Sequence, residues 1–217
     1  MLDMILSTLW TLLSVGVVLA ILYLAEKGSR AKHLHPELTR KFVHVTVGSF
    51  VAFWPFYLSW REIATLSLAF LLVIALSARF DIFRSIHSVK RNTTGEFLFA
   101  LSIGVVSIIS SNKWVFMAAM LNLALADGMA ALVGILKGEG NEYKVFGHTK
   151  SRAGTTAFLI TSFAISIIYL IFSHSHIGIT TLVIVPVVAT VSENLAINGT
   201  DNLVIPVIVA LILSGSL

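Results

Sequence analysis

Cysteine is absent from the 217 residues, which excludes a disulfide framework and any thiolate metal site. Charge is scarce too. Only 12% of residues are Asp, Glu, Lys or Arg against 57% hydrophobic, and the mean hydropathy is +0.92. That balance excludes an ordinary water-soluble domain. No internal repeat, low-complexity tract or domain linker is present. The first apolar run lacks a basic leader and a small-residue cleavage site, so it reads as a retained helix and not a cleaved signal peptide. The net charge of +4 would hint at nucleic acid in a soluble chain; here no nucleic-acid partner is expected, and the placement of the charges carries the information.

What the chain has is apolar runs. About 20 residues of helix cross ~30 Å of hydrocarbon. Runs at 4–25, 42–58, 63–78, 97–110, 114–136, 153–173, 177–191 and 203–217 predict an all-α, polytopic integral membrane helical bundle of about eight spans, with seven to nine as the range. The fourth, seventh and eighth are short. The whole of 1–217 reads as a single membrane domain surrounded by membrane lipids.

Thirteen of the fifteen Lys and Arg fall in alternate loops near 26–41, 79–96 and 137–152; only Arg61 and Lys113 lie opposite. Loops rich in Lys and Arg stay in the cytoplasm, so those loops, and with them the one near 192–202, are expected there. Trp10, Trp54, Trp60 and Trp114 are expected in an aromatic belt at the outer boundary. The acceptor patterns beginning at Asn92 and Asn198 both fall on the cytoplasmic side and are expected to stay unglycosylated.

On this topology, nearly every polar residue without a solvating role collects at one face of the membrane. Arg40, Lys41 and His44 open the second span, Glu96 the fourth, Ser151, Gly154 and Thr155 the sixth, and Asp201 and Asn202 the eighth. Asp127 lies within the fifth and Glu193 at the inner end of the seventh. An ionisable residue in hydrocarbon is a functional-site candidate by default. Helix N-termini bind anions, and several of them beside Lys and Arg would hold a polyphosphate. Carboxylates in the same place repel phosphate unless a divalent cation bridges them, as Mg²⁺ does. Asp127, Glu193 and Asp201 are the available ligands, and the chemistry that suits the assembly is nucleotide-dependent transfer at the inner leaflet.

Each residue also has a plainer reading. Asp127 and Asn122 are equally able to hydrogen-bond between helices, Arg40, Lys41 and His44 to be interfacial basics, and Glu96 and Asp201 to cap their helices. The His33–His35 and His174–His176 pairs have no third ligand nearby and read as solvated histidines. Gly138-Glu139-Gly140 is not a P-loop, because no Gly-Lys-Ser or Gly-Lys-Thr follows. Asp127-Gly128 opens like the motif of enzymes that exchange alcohols on CDP-linked lipids, but Leu132 stands where an Arg is needed and the downstream aspartates are missing.

Taken together, RKFVH at 40–44, RNTTGEF at 91–97, LADGMAALVG at 125–134, FGHTKSRAGTTAF at 146–158 and SENLAINGTDNLVIP at 192–206 resemble the membrane-embedded, CTP-dependent lipid-alcohol kinases. That family includes dolichol kinase, phytol kinase and the CTP-using diacylglycerol kinase. The resemblance implies phosphoryl transfer from CTP to the hydroxyl of a polyprenol, phytol or diacylglycerol, with Mg²⁺ or another divalent cation. It implies catalytic roles for Asp127, Glu193, Asp201, Arg40, Lys41 and His44, with metal held by Asp127 and Glu193. Nucleotide contacts would come from Lys137, His148, Lys150, Ser151, Gly154, Thr155, Glu96 and Asn202. Small residues Gly128, Ala130, Ala131 and Gly134 would let helices approach closely or leave a groove for the lipid chain. A phosphatidate cytidylyltransferase is the alternative within lipid chemistry, although the clustered Lys, His-Gly-Gly and paired aspartates of that family's C-terminal signature are absent. A transporter or scramblase is the alternative outside it, and would place charges near the midplane between repeats.

Overall fold

In the computed structural model, residues 2–30, 36–80, 94–174 and 178–215 are described. Eight helices form among them: α1 (Leu2–Arg30), α2 (Pro36–Ala52), α3 (Trp60–Phe80), α4 (Gly95–Ile109), α5 (Lys113–Lys137), α6 (Arg152–Ser173), α7 (Ile179–Leu195) and α8 (Asp201–Gly215). α1, α3, α5 and α6 are long and apolar enough to cross a membrane; α4, α7 and α8 are the shorter apolar helices. Large apolar side chains such as Leu12, Leu68, Ile108, Ile160 and Ile171 face outward. Apolar surface on that scale is not tolerated in water and is what a bilayer solvates. The chain is an all-α membrane bundle.

α5 runs through the centre, touching α2, α4, α6 and α8. Its residues from Val115 to Ala124 are all buried. The helix is not regular throughout: Asn122–Ala126 form one π-helical turn, and the Asp127 N–H donates back to the Asn122 carbonyl. Such turns recur at functional sites. Two glycines set how closely α2 lies on this turn. A Cβ on Gly48 would stand 2.6 Å from the Ala124 Cβ, and one on Gly128 would stand 2.2 Å from a Val45 methyl. Lys41, His44, Val45 and Gly48 share one face of α2, and Ala124, Asp127, Gly128 and Ala131 one face of α5, each at helical i, i+3, i+4, i+7 spacing.

Several sequence expectations change in detail. α1 continues to Arg30 and α2 starts at Pro36, so much of the loop expected at 26–41 is helical, and Arg40, Lys41 and His44 lie inside α2, not at its first residues. The loop expected at 137–152 contains a hairpin, β1 (Glu142–Val145) and β2 (His148–Ser151), antiparallel with Val145 paired to His148. Phe146 and Gly147 both have positive φ, at 48° and 81°, the type I′ geometry that a two-residue hairpin loop prefers. Trp54 is not part of a belt: it is 0% exposed and packs against Phe50 and Phe70. Trp10 with Tyr57, and Trp114 with Phe56 and Phe172, do gather at the other end of the bundle from the hairpin. There a capping box closes α3: the Ser59 N–H donates to Glu62, the Glu62 N–H to Ser59, and Ser7 and Thr11 of α1 also donate to the Glu62 carboxylate. The His33–His35 pair, Arg84, Lys90, Arg91, Asn92 and Thr93, and Ser175 and His176 lie outside the described residues.

Candidate functional site

At the hairpin end of the bundle, six helices and the hairpin surround a cavity of about 550 Å³. α2 contributes Arg40, Lys41 and His44; α5 contributes Asp127, Ala130, Ala131 and Gly134. Gly95 begins α4, Gly154 and Thr155 lie in the first turn of α6, Glu193 ends α7, and Asp201 and Asn202 begin α8. His148, Lys150 and Ser151 come from β2. The N-termini of α4, α6 and α8 therefore open on one space.

Two carboxylates in this cavity are almost wholly buried, Asp127 at 4% and Glu193 at 6% exposure. Each has its own lysine. The Lys41 Nζ donates to Asp127 Oδ2 at 2.7 Å, a contact made possible by the glycine-mediated approach of α2 to α5. Lys150 Nζ donates to Glu193 Oε1 at 2.6 Å and to the Glu193 carbonyl at 2.9 Å. Pairing is what makes such burial tolerable, since a lone buried charge costs several kcal/mol. His44 stands 3.5 Å from Asp127 through Nε2 and donates from the same nitrogen to the Leu123 carbonyl of the π turn, 3.1 Å away. Asp201 accepts from the Asn202 N–H and lies within the fields of Asp127, Lys41 and Lys150.

The hairpin is fastened to the helices by the residues flanking these lysines. Tyr143 faces Lys150 across the two strands, and its hydroxyl bonds Thr155 at 2.5 Å and also Asn194. Glu193 and Asn194 thus receive Lys150 and Tyr143 side by side. Ser151 caps α6, accepting from the Gly154 N–H at 3.0 Å. Gly154 is held close to α5, where an added Cβ would meet the Ala130 carbonyl at 2.7 Å. The turn before α8 leans on α4: a Cβ on Gly199 would come 2.7 Å from the Gly95 Cα, and Asn202 donates to the Gly95 carbonyl at 2.8 Å.

Of the residues expected to act in catalysis or to bind metal or nucleotide, twelve line this cavity: Arg40, Lys41, His44, Asp127, His148, Lys150, Ser151, Gly154, Thr155, Glu193, Asp201 and Asn202. Lys137 does not; it ends α5 with an exposed side chain. Glu96 does not either, and instead faces a separate apolar groove. Asn122 takes the plainer role, bridging α5 to α6 by accepting from Ser162 at 2.5 Å. Tyr143 and the π turn are not marked by the sequence, whereas Asn194 stands beside Glu193 at the inner end of the seventh run. The Tyr143–Lys150 pairing requires the hairpin register, which the polar strand sequences do not declare.

No group of three or more His, Asp or Glu capable of holding a metal occurs among the described residues. The donors do suit a Mg²⁺ that takes one or two carboxylates and completes its shell from phosphate and water: Glu193 Oε2 is buried and has no hydrogen-bond partner, and Glu193 and Asp127 line the same cavity.

No protein-family model matches the chain. No solved structure matches it either. Two curated proteins are similar. A phytol kinase from Synechocystis sp. is 35% identical over 202 residues, covering 89% of this chain and 85% of that protein. A probable chloroplastic phytol kinase 2 from Oryza sativa subsp. japonica is 27% identical over 171 residues, 72% of this chain and 56% of that protein. With such identity sustained along nearly its whole length, the chain belongs to the phytol kinase family.

Proposed function

We propose that this protein is a membrane lipid-alcohol kinase that moves the γ-phosphoryl group of CTP to the hydroxyl of a lipid alcohol, such as phytol, a polyprenol or diacylglycerol, at the cytoplasmic face of a multi-pass bundle. The observation that carries this reading is the convergence of two buried lysine–carboxylate pairs and three helix N-termini on one cavity at the end of an apolar bundle. The names of the relatives support the kinase class.

The chemistry follows from the charges. A triphosphate entering the cavity competes for Lys41 and Lys150, and the N-termini of α6 and α8 put the positive ends of their helix dipoles beside its oxygens. Ser151, Gly154 and Thr155 lie where backbone and hydroxyl donors reach phosphate, with His148 beside them. As the lysines turn to phosphate, Asp127 and Glu193 lose their partners and would hold Mg²⁺. Bound there, the metal would supply neutralisation of the phosphate charge.

The lipid hydroxyl attacks the γ-phosphorus, the bond to the bridging oxygen breaks, and CDP leaves. The hydroxyl proton passes to Asp201, which makes no ion pair among the described residues and stands beside Asn202. Transfer through a loose transition state asks little of that base, so positioning and charge supply most of the rate. Incubation of the reconstituted protein with γ-labelled CTP, Mg²⁺ and a C20 prenyl alcohol tests the reading. A kinase leaves label on the lipid. Label released as pyrophosphate from a phosphatidate-containing vesicle identifies a cytidylyltransferase instead, and the proposal fails.

A further inference from the structure

A second, apolar groove of about 210 Å³ lies among α1, α2, α3 and α4. Its floor is buried, with Val18, Leu22, Val47, Leu66 and Ala100 all below 10% exposure. Its lips are open: Leu19 of α1 and Ala69 and Val73 of α3 line it and are exposed on the apolar outer surface of the bundle. One end is different in kind. Arg40, His44 and Asn202 line both this groove and the polar cavity, and Glu96 stands at the same end in the first turn of α4. Apart from these residues and Ser77, the lining is apolar along every wall.

We infer that this groove binds the hydrocarbon chain of the acceptor alcohol, which enters sideways from the bilayer between α1 and α3 and stops with its hydroxyl at Arg40, His44 and Asn202. A ligand matching this shape must be apolar along its length and carry a small polar group at one end. A lipid alcohol has that character, and the polar end delivers its oxygen directly to the phosphate cavity. The groove spans Leu66 to Ser77 of α3, about 16 Å at 1.5 Å per residue. With roughly 30 Å³ for a water-sized group, its volume takes about seven carbons, the leading end of one chain, and the remainder stays in the membrane. The small residues Gly128, Ala130, Ala131 and Gly134 do not form this groove: Gly128 packs on Val45, and the other three line the polar cavity. The inference rests on the lipid-alcohol reading above.

The test uses the full chain in nanodiscs. Ala69→Trp fills the groove from an exposed lip, so the fold need not repack. Leu68→Trp, one residue away and outside the groove, is the control. Ala69→Trp is expected to raise the KM for a C20 prenyl alcohol at least tenfold, with the KM for CTP unchanged; Leu68→Trp is expected to change neither. A C20 alcohol carrying a diazirine on its proximal half should label α1 and α3 at the groove, and excess unlabelled alcohol should suppress that labelling. Equal KM values in the two variants overturn the inference, as does labelling that only bulk bilayer lipid displaces. If no nucleotide supports phosphorylation, the kinase reading fails by itself, and the competed labelling pattern still decides whether the groove takes the alcohol.

Discussion

Lys150 grips Glu193 twice, donating to the glutamate's carboxylate at 2.6 Å and to the glutamate's backbone carbonyl at 2.9 Å. The lysine belongs to the hairpin and the glutamate to the last turn of α7, so one side chain both neutralises a buried charge and ties strand to helix. Lys150→Ala leaves the carboxylate uncompensated and should lower stability by up to about 3 kcal/mol. Adding Glu193→Gln should restore much of that loss, because the stranded charge is gone, without restoring nucleotide affinity. Thermal melts and CTP titrations of the single and double variants in detergent separate the two effects.

Asp127 has the same dependence on Lys41, with His44 alongside. Asp127→Ala should abolish phosphoryl transfer, by at least about 100-fold, while the protein still inserts and folds. Membrane fractionation together with a transfer assay checks both halves. Full activity in this variant removes the residue from the centre of the mechanism.

Gly128 controls whether Lys41 reaches Asp127 at all. A methyl there would meet Val45 at 2.2 Å, an overpacking of the kind that costs about 1–3 kcal/mol. Gly128→Ala should lower both melting temperature and activity, and Val45→Ala in the same chain should recover part of each. Recovery of stability without activity would mean that the α2–α5 spacing does not set the ion pair.

Tyr143 holds the hairpin through Thr155 and Asn194. Tyr143→Phe removes only the hydroxyl, so the strand pairing should persist while Lys150 and His148 lose their fixed position. The expected result is a KM for nucleotide raised several-fold with kcat nearly unchanged. An unaltered KM would make the tyrosine a purely structural tie.

Much of this arrangement is legible in the sequence because a bilayer is a strict solvent. Apolar runs must be about as long as the membrane is thick, and seven of the runs fall on apolar helices, including the three short ones at α4, α7 and α8, while the run at 42–58 only overlaps α2 (Pro36–Ala52). Charges such as Asp127 and Glu193 stand out against that background. The details that escape depend on contacts between distant segments. Trp54 looks interfacial by position but is enclosed by Phe50 and Phe70. The strand Glu142–Val145 alternates polar and apolar residues over only four positions and His148–Ser151 carries no apolar residue, so the pattern is too short to declare a hairpin and only Phe146-Gly147 hints at a turn. The groove beside Glu96 exists only once α1, α3 and α4 come together, and no local pattern announces it.

On the proposed mechanism, Lys41 and Lys150 leave Asp127 and Glu193 for phosphate when a metal–nucleotide enters. Calorimetric titration of CTP into the nanodisc-embedded protein, with and without Mg²⁺, tests it most directly. Saturable one-site binding is predicted, at least tenfold tighter with Mg²⁺, with that metal dependence lost when Asp127→Asn and Glu193→Gln are combined. CTP affinity that is the same with and without Mg²⁺, or unchanged in the combined variant, contradicts it.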